Sequence, residues 1–268
     1  MSTQSILTLA LACFGLLSCA RKQEPKVVGT EVHYAGGGIT MKGYLAVNEA
    51  IGEKRPGILV VNEWWGHNEY ARRRARMLAE LGYAALAVDM YGEGKQAAHP
   101  SDAGTFASEV MKNMESAKAR FIAAMDLLKS NPACDSSRIA AIGYCFGGGV
   151  VLQMARMGAD LKGVVSFHGS LATPSPARPG EVKARVLVCN CADDGFVTAE
   201  AIEMFKNEMQ SAGVNYTFVS YQGAKHSFTN PDADKFGKEF NLPLAYNEAA
   251  DRQSWADMQR FFKEAFGE

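Results

Sequence analysis

This chain lacks an excess of charge of either sign. Its 268 residues carry 28 Lys and Arg against 29 Asp and Glu, a net charge of −1. That balance excludes a global electrostatic footprint for nucleic acid or for an anionic membrane surface. Long apolar runs are also missing. The nearest to one, Ile6–Leu17, falls short of the ~20 residues that span a bilayer, and reads as the apolar stretch of an export signal. The six cysteines, at 13, 19, 134, 145, 189 and 191, fit neither a zinc site nor a dense disulfide framework. Cys189 and Cys191 would share one face of a strand, a poor geometry for a relaxed disulfide. They read as small core residues, with a bridge from Cys134 to one of them left open. There is no internal repeat and no low-complexity segment.

What is there falls into three parts. Residues 1–19 read as a signal peptide ending in Leu16-Leu-Ser-Cys19, which resembles a bacterial lipobox with Cys19 as the lipidated residue. The stretch before the apolar run, Met1–Ser5, has no Lys or Arg, and plain cleavage near Cys19 and Ala20 is the alternative. Residues 20–26 form a polar tether, and residues 27–268 form a single α/β domain of ample size to bury a core. Export follows: a lipoprotein on the periplasmic face of the cell envelope, or a periplasmic or secreted protein. Ala20 after the cysteine favours the outer membrane by resemblance to lipoprotein sorting. Membrane contact would run only through that anchor.

The body alternates strand and helix. Val27–Val32 and Met41–Val47 flank Gly36-Gly-Gly38 and predict a hairpin. Strands are expected at Gly57–Glu63, Tyr83–Asp89, Arg138–Ile142, Gly163–His168, Arg185–Cys191 and Tyr216–Tyr221. Helices are expected over Glu69–Leu81 behind an Asn68 cap, over about Asp102–Ser130 until Asn131-Pro132 breaks it, and over Gly148–Met157, Ala199–Ala212 and Leu244–Phe266. The alternation predicts a mostly parallel central sheet with helices on both faces. The Arg72-Arg-Arg74 run reads as a solvated helix face.

The chemistry centres on Gly143-Tyr-Cys-Phe-Gly147, placed between an apolar strand and a helix. Strand, tight glycine-flanked turn and helix make the nucleophile elbow of the α/β-hydrolase fold, here with Cys145 where serine is usual. In such sheets functional residues gather at the carboxyl ends of strands. Two more groups sit there: Asp193-Asp194 after the strand ending at Cys191, and His226 after the strand ending at Tyr221. The order nucleophile, acid, histidine is the hydrolase order. His33 lies in the early hairpin, His99 in a loop and His168 at another strand end, so His226 is the one in the late-loop position. Either aspartate could serve on this reading alone.

Four stretches taken together resemble the dienelactone hydrolase family: Val60-Val-Asn-Glu-Trp-Trp-Gly66, Gly143-Tyr-Cys-Phe-Gly-Gly148, Asp194-Gly-Phe-Val197 and Gly223-Ala-Lys-His-Ser-Phe228. The resemblance runs from about Gly57 to the C-terminus. It implies Cys145 as a thiolate nucleophile, His226 as the proton carrier and Asp194, rather than Asp193, as the acid that orients it. It implies backbone N–H groups of Phe146 and Trp64 as the oxyanion hole, and Glu63 as a carboxylate that meets the resting thiol. A thioester acyl-enzyme would form and be hydrolysed, with no metal and no organic cofactor.

Family members specific for dienelactone carry two arginines for the substrate carboxylate; Glu93 and Asn230 stand at those places here. The expected pocket is aromatic and apolar, built from Trp64, Trp65, Tyr91, Tyr144, Phe146 and Phe228. Tyr144 and Phe228 read equally well as core, and Arg72, Arg73 or Lys225 remain as carboxylate holders. A neutral small-molecule ester, lactone or thioester is the expected substrate, rather than dienelactone. The competing reading is a non-catalytic envelope binding protein that kept the fold. A redox-sensing thiol is a third, with no resolving cysteine marked near Cys145.

Overall fold

The structure is a computed structural model that describes residue 24 and residues 26–268; the stretch read as an export signal, with Cys19, lies outside the described residues. The first two strands, β1 (Val27–Gly36) and β2 (Ile39–Asn48), form an antiparallel hairpin. Its turn is Gly37-Gly38, with φ of 61° and 83°, a left-handed backbone that glycine adopts without steric cost. Then follow β3 (Arg55–Val61), α1 (Glu69–Glu80), β4 (Ala84–Val88), α2 (Pro100–Lys112), α3 (Met114–Ser130), β5 (Cys134–Tyr144) and α4 (Phe146–Arg156). The chain ends with β6 (Gly163–Phe167), β7 (Arg185–Cys191), α5 (Ala199–Ser211), β8 (Tyr216–Tyr221), α6 (Ala233–Phe240) and α7 (Glu248–Phe266).

The strands form one eight-stranded sheet in the order β1-β2-β4-β3-β5-β6-β7-β8. From β4 to β8 all neighbours are parallel; β2 joins β4 antiparallel. A parallel sheet must bury both faces, and this one does so by alternation along each strand. On β3, Leu59 and Val61 point into the layer that holds Phe121 of α3, Val150 and Met154 of α4 and Phe205 of α5. Ile58 and Val60 point the other way, into the layer that holds Leu78 of α1 and Met258 and Phe262 of α7.

Three elements differ from the sequence expectation. The helix expected over Asp102–Ser130 is two helices that meet at Asn113, which closes α2 and caps α3 by accepting the Ser116 N–H at 3.0 Å. An Asx side chain that competes for backbone groups starts helices rather than continuing them. The last helix begins at Glu248, behind an Asn247 cap, not at Leu244. Leu244 instead makes an isolated β-bridge with His226. Finally, α6 arises in a stretch with no expected element.

Candidate active site

The β5–α4 turn is built from residues that leave no room. A Cβ on Gly143 would sit 2.0 Å from the Gly147 carbonyl oxygen, and one on Gly147 would sit 2.3 Å from that of Val61. Between them Cys145 takes φ 53° and ψ −114°. A non-glycine residue in that region costs ~1–3 kcal/mol and persists only where its surroundings hold it. Here the Cys145 N–H donates to the Phe167 carbonyl at 3.0 Å, the Gly149 N–H to the Cys145 carbonyl at 3.2 Å, and the Gly147 N–H to the Asn62 carbonyl at 3.1 Å. The result lifts the thiol off the end of β5, with the first turn of α4 behind it.

Cys145, His226 and Asp194 come together from the ends of three strands. His226 Nε2 lies 3.1 Å from the Cys145 sulfur, and His226 Nδ1 lies 2.8 Å from Asp194 Oδ2. Asp194 also accepts the Phe196 N–H at 2.8 Å, which fixes its carboxylate on the turn after β7. Burial disfavours charge on His226, but the adjacent Cys145 sulfur and Asp194 carboxylate outweigh it and lift its pKa to about 10. Burial likewise acts against an ionised Asp194, yet the bond to His226 holds its carboxyl below the usual range. Asp193 is exposed and engages only its backbone, donating to the Ala224 carbonyl at 3.0 Å. Of the other histidines, His33 is exposed and His99 caps α2, while His168 is buried with its ring 5.4 Å from that of His226.

Glu63 is not on the thiol. Its Oε2 accepts from Asn230 Nδ2 at 2.6 Å, and the side chain is buried with its carboxyl pKa raised by that burial. The resting contact with Cys145 that the family resemblance implied is therefore replaced by one with the His226 loop. The amide that occupies the arginine's place is what claims the carboxyl.

A cavity of about 350 Å³ opens at the thiol. Trp64, Phe146, Ala107, Met111, Phe196, Val197, Leu242 and Leu244 line it beside Cys145 and His226, with Gly149 and Ser170 and without any Asp, Glu, Lys or Arg. Four expected lining residues are elsewhere. Tyr144 and Phe228 are fully buried core, Tyr144 stacking on Phe167 at 4.8 Å because side chains alternate across the sheet and its own points toward α1. Trp65 stacks on Phe236 of α6 at 4.6 Å. Tyr91 turns its hydroxyl to the Trp64 carbonyl at 2.9 Å and faces a separate cavity lined by Phe106 and Arg120. In their place come Met111 and Phe196, both exposed large apolar side chains, with the Phe196 ring 4.9 Å from that of His226. Phe196 sits inside the Asp194-Gly-Phe-Val197 motif, which was a signal for it; Met111, Leu242 and Leu244 carry none.

The Arg72-Arg-Arg74 run is not uniformly solvated. Arg74 is 3% exposed and its guanidinium reaches Asp251 Oδ1 at 2.6 Å and the Thr229 carbonyl at 2.5 Å. It lies on the core side of α1 with Tyr70, Ala71 and Leu78. Arg72 and Arg73 stay on the outer side, and neither lines the cavity.

A mostly parallel, doubly covered sheet with a strained cysteine elbow and a histidine and aspartate on following strand ends defines an α/β-hydrolase with a thiol at its centre. The dienelactone hydrolase family model matches residues 41–266. The chain belongs to that family and is a hydrolase of ester or lactone bonds. The solved structure named m3DLH is 38% identical, covers 89% of this chain and 98% of its own, and superposes with a TM-score of 0.84. A dienelactone hydrolase-like promiscuous phosphotriesterase from metagenomic libraries is 34% identical over 89% of this chain and 98% of its own, with a TM-score of 0.81. An uncharacterized Caenorhabditis elegans protein, K02A2.1, is 34% identical over 152 residues, 56% of this chain and 94% of its own.

Proposed function

We propose that this protein hydrolyses neutral, apolar carboxylic esters, lactones or thioesters through a Cys145–His226–Asp194 triad and a thioester acyl-enzyme. One observation carries the reading: among the described residues, the cavity lining holds a thiol paired with an imidazole at 3.1 Å, and the rest of that lining is uncharged and mostly apolar. Cys145 attacks as thiolate, with His226 holding the proton. The carbonyl oxygen takes up negative charge and is met by the N–H groups of Phe146 and Trp64, two residues that line the cavity. Phe146 opens α4, where a helix has no acceptor of its own for the N–H. Collapse expels the alcohol or thiol, which leaves with the proton from His226. Water then attacks the thioester, His226 takes its proton, and the acid departs as the thiolate is restored. Asp194 keeps Nδ1–H of the imidazole aligned and stabilises its charged form.

Dienelactone itself is a poor fit. Its carboxylate would find no Lys or Arg in the cavity lining, and Asn230 spends its amide on Glu63. The test is turnover of a nitrophenyl ester series by the wild-type protein and by Cys145→Ala. The expected result is loss of at least about 1,000-fold in kcat with the fold intact, and in the wild type a rise in kcat/KM with acyl length that a terminal carboxylate abolishes. Retained turnover in Cys145→Ala sinks the mechanism. We further infer from residues 1–26 that the protein is exported and anchored through a lipid on Cys19. The mass of the mature N-terminus reads this directly, and an intact Met1 refutes it.

A further inference from the structure

The N–H of Cys145 has a second acceptor that the reaction above does not use. Besides the Phe167 carbonyl, it donates to Nδ1 of His168 at 3.1 Å. His168 is 1% exposed, directly follows β6 and holds φ 41°. A ring nitrogen that accepts a hydrogen bond carries no proton, so in the neutral ring the proton sits on Nε2. Nε2 lies 2.7 Å from Thr229 Oγ1, to which it donates. Thr229 is 0% exposed and belongs to the same short loop as His226.

A single neutral imidazole thus joins the turn that carries the thiol to the loop that carries its base. Burial, helped by nearby His226 and Arg74, keeps His168 well below the usual histidine pKa, so Nδ1 stays free to accept. The far side is braced as well. Thr229 Oγ1 meets the Tyr70 hydroxyl at 2.6 Å, and that hydroxyl accepts from Arg74 Nε at 3.3 Å. Arg74 in turn is anchored by Asp251 of α7. A buried hydrogen-bonded network of this kind holds its members rigidly, because turning any one of them breaks a bond to its neighbour.

We propose that His168 is a positioning residue: its Nδ1 holds the strained Cys145 turn and its Nε2–H holds Thr229, so that the sulfur and His226 Nε2 remain in register. The Cys145 N–H is consumed in this role, which leaves the neighbouring Phe146 N–H to face the substrate oxygen. The consequence for turnover rests on the thiol-hydrolase reading; the geometry can be read apart from it.

The experiment compares the full-length wild type with His168→Ala, His168→Asn and Thr229→Val. Asparagine returns an acceptor oxygen to the place of Nδ1. Two readouts are taken: the rate of iodoacetamide alkylation of Cys145 at pH 7, resolved by peptide mass spectrometry, and kcat and KM for the best ester. His168→Ala should slow alkylation by about tenfold and lower kcat by on the order of 100-fold, as a misplacement of about 1 Å can, with KM within about twofold. His168→Asn should regain most of both, and Thr229→Val should show a smaller loss in the same direction. Wild-type alkylation in His168→Ala, or no recovery in His168→Asn, overturns the proposal. Should His168→Ala not fold, Thr229→Val decides it, and a wild-type alkylation rate there refutes it. Failure of the wild type to hydrolyse any ester counts against the hydrolase reading, while the alkylation contrast still decides the role of His168.

Discussion

At the scale of single residues, two adjacent carboxylates divide cleanly. Asp194 spends one oxygen on His226 Nδ1 and takes the Phe196 N–H, whereas Asp193 faces solvent. Asp194→Asn should lower kcat/KM by on the order of 1,000-fold or more, because an amide cannot select the productive imidazole tautomer. Asp193→Asn should stay within about twofold, and kcat/KM for the same ester distinguishes them. The positions of Cys145 and His226 at strand ends followed from short motifs and chain order, whereas the preference for Asp194 over Asp193 came only from the family resemblance. The partner of Glu63 was not legible. A buried carboxyl can rotate toward any donor in reach, and here Asn230, 167 residues away, supplies one. Arg74 was misread for a related reason. A run of three arginines looks solvated, and only the fold brings Asp251, 177 residues on, to the one that turns inward.

At the scale of elements, the sheet was the readable part. Arg185–Cys191 coincides with the expectation, since a buried strand in a parallel sheet is a short, nearly continuous apolar run closed off by turn residues, and Tyr216–Tyr221, the half-buried edge strand, coincides through its aromatic and β-branched residues. Helices on the same faces were read less well. The α2–α3 junction is set by one capping asparagine inside a stretch that otherwise continues the helical pattern. The residues at 242–244 pass through no regular element, yet two of them reach the cavity. Walls of this kind come from α2 and from a loop far along the chain, so periodicity within any one segment does not announce them. The expected aromatic pocket failed for the same reason: proximity in sequence to Cys145 placed Tyr144 beside the thiol, while strand alternation sent its side chain to the opposite face.

At the scale of the whole molecule, stability should depend on acidity through its buried neutral histidines. His67, 1% exposed in the loop between β3 and α1, has its pKa pushed down to about 4, by burial first and by Arg72 second, against the opposing pull of Asp89 and Glu31. His168 is shifted the same way. A folded pKa below the unfolded one means that the unfolded chain binds more protons between the two values. The contribution of His67 is thus complete above about pH 6.5 and is lost as the pH falls toward 4, by up to ~3 kcal/mol. Thermal melts from pH 7 to pH 4 should show Tm falling across that window, and His67→Phe should flatten part of the fall. A Tm that holds level in the wild type removes the histidines from the account.

The direction of β1 has a consequence for how the molecule meets its surroundings. β1 runs antiparallel to β2, and β2 antiparallel to β4, so β1 points the same way as the parallel strands. Val27 pairs with Asn48 at the foot of the sheet, where those strands begin; the thiol, its base and its acid stand at the head, where they end. The chain therefore enters the domain from below. Held by its leading end, the protein would stand like a cup on a table, its mouth turned from the surface that carries it and open to whatever diffuses past.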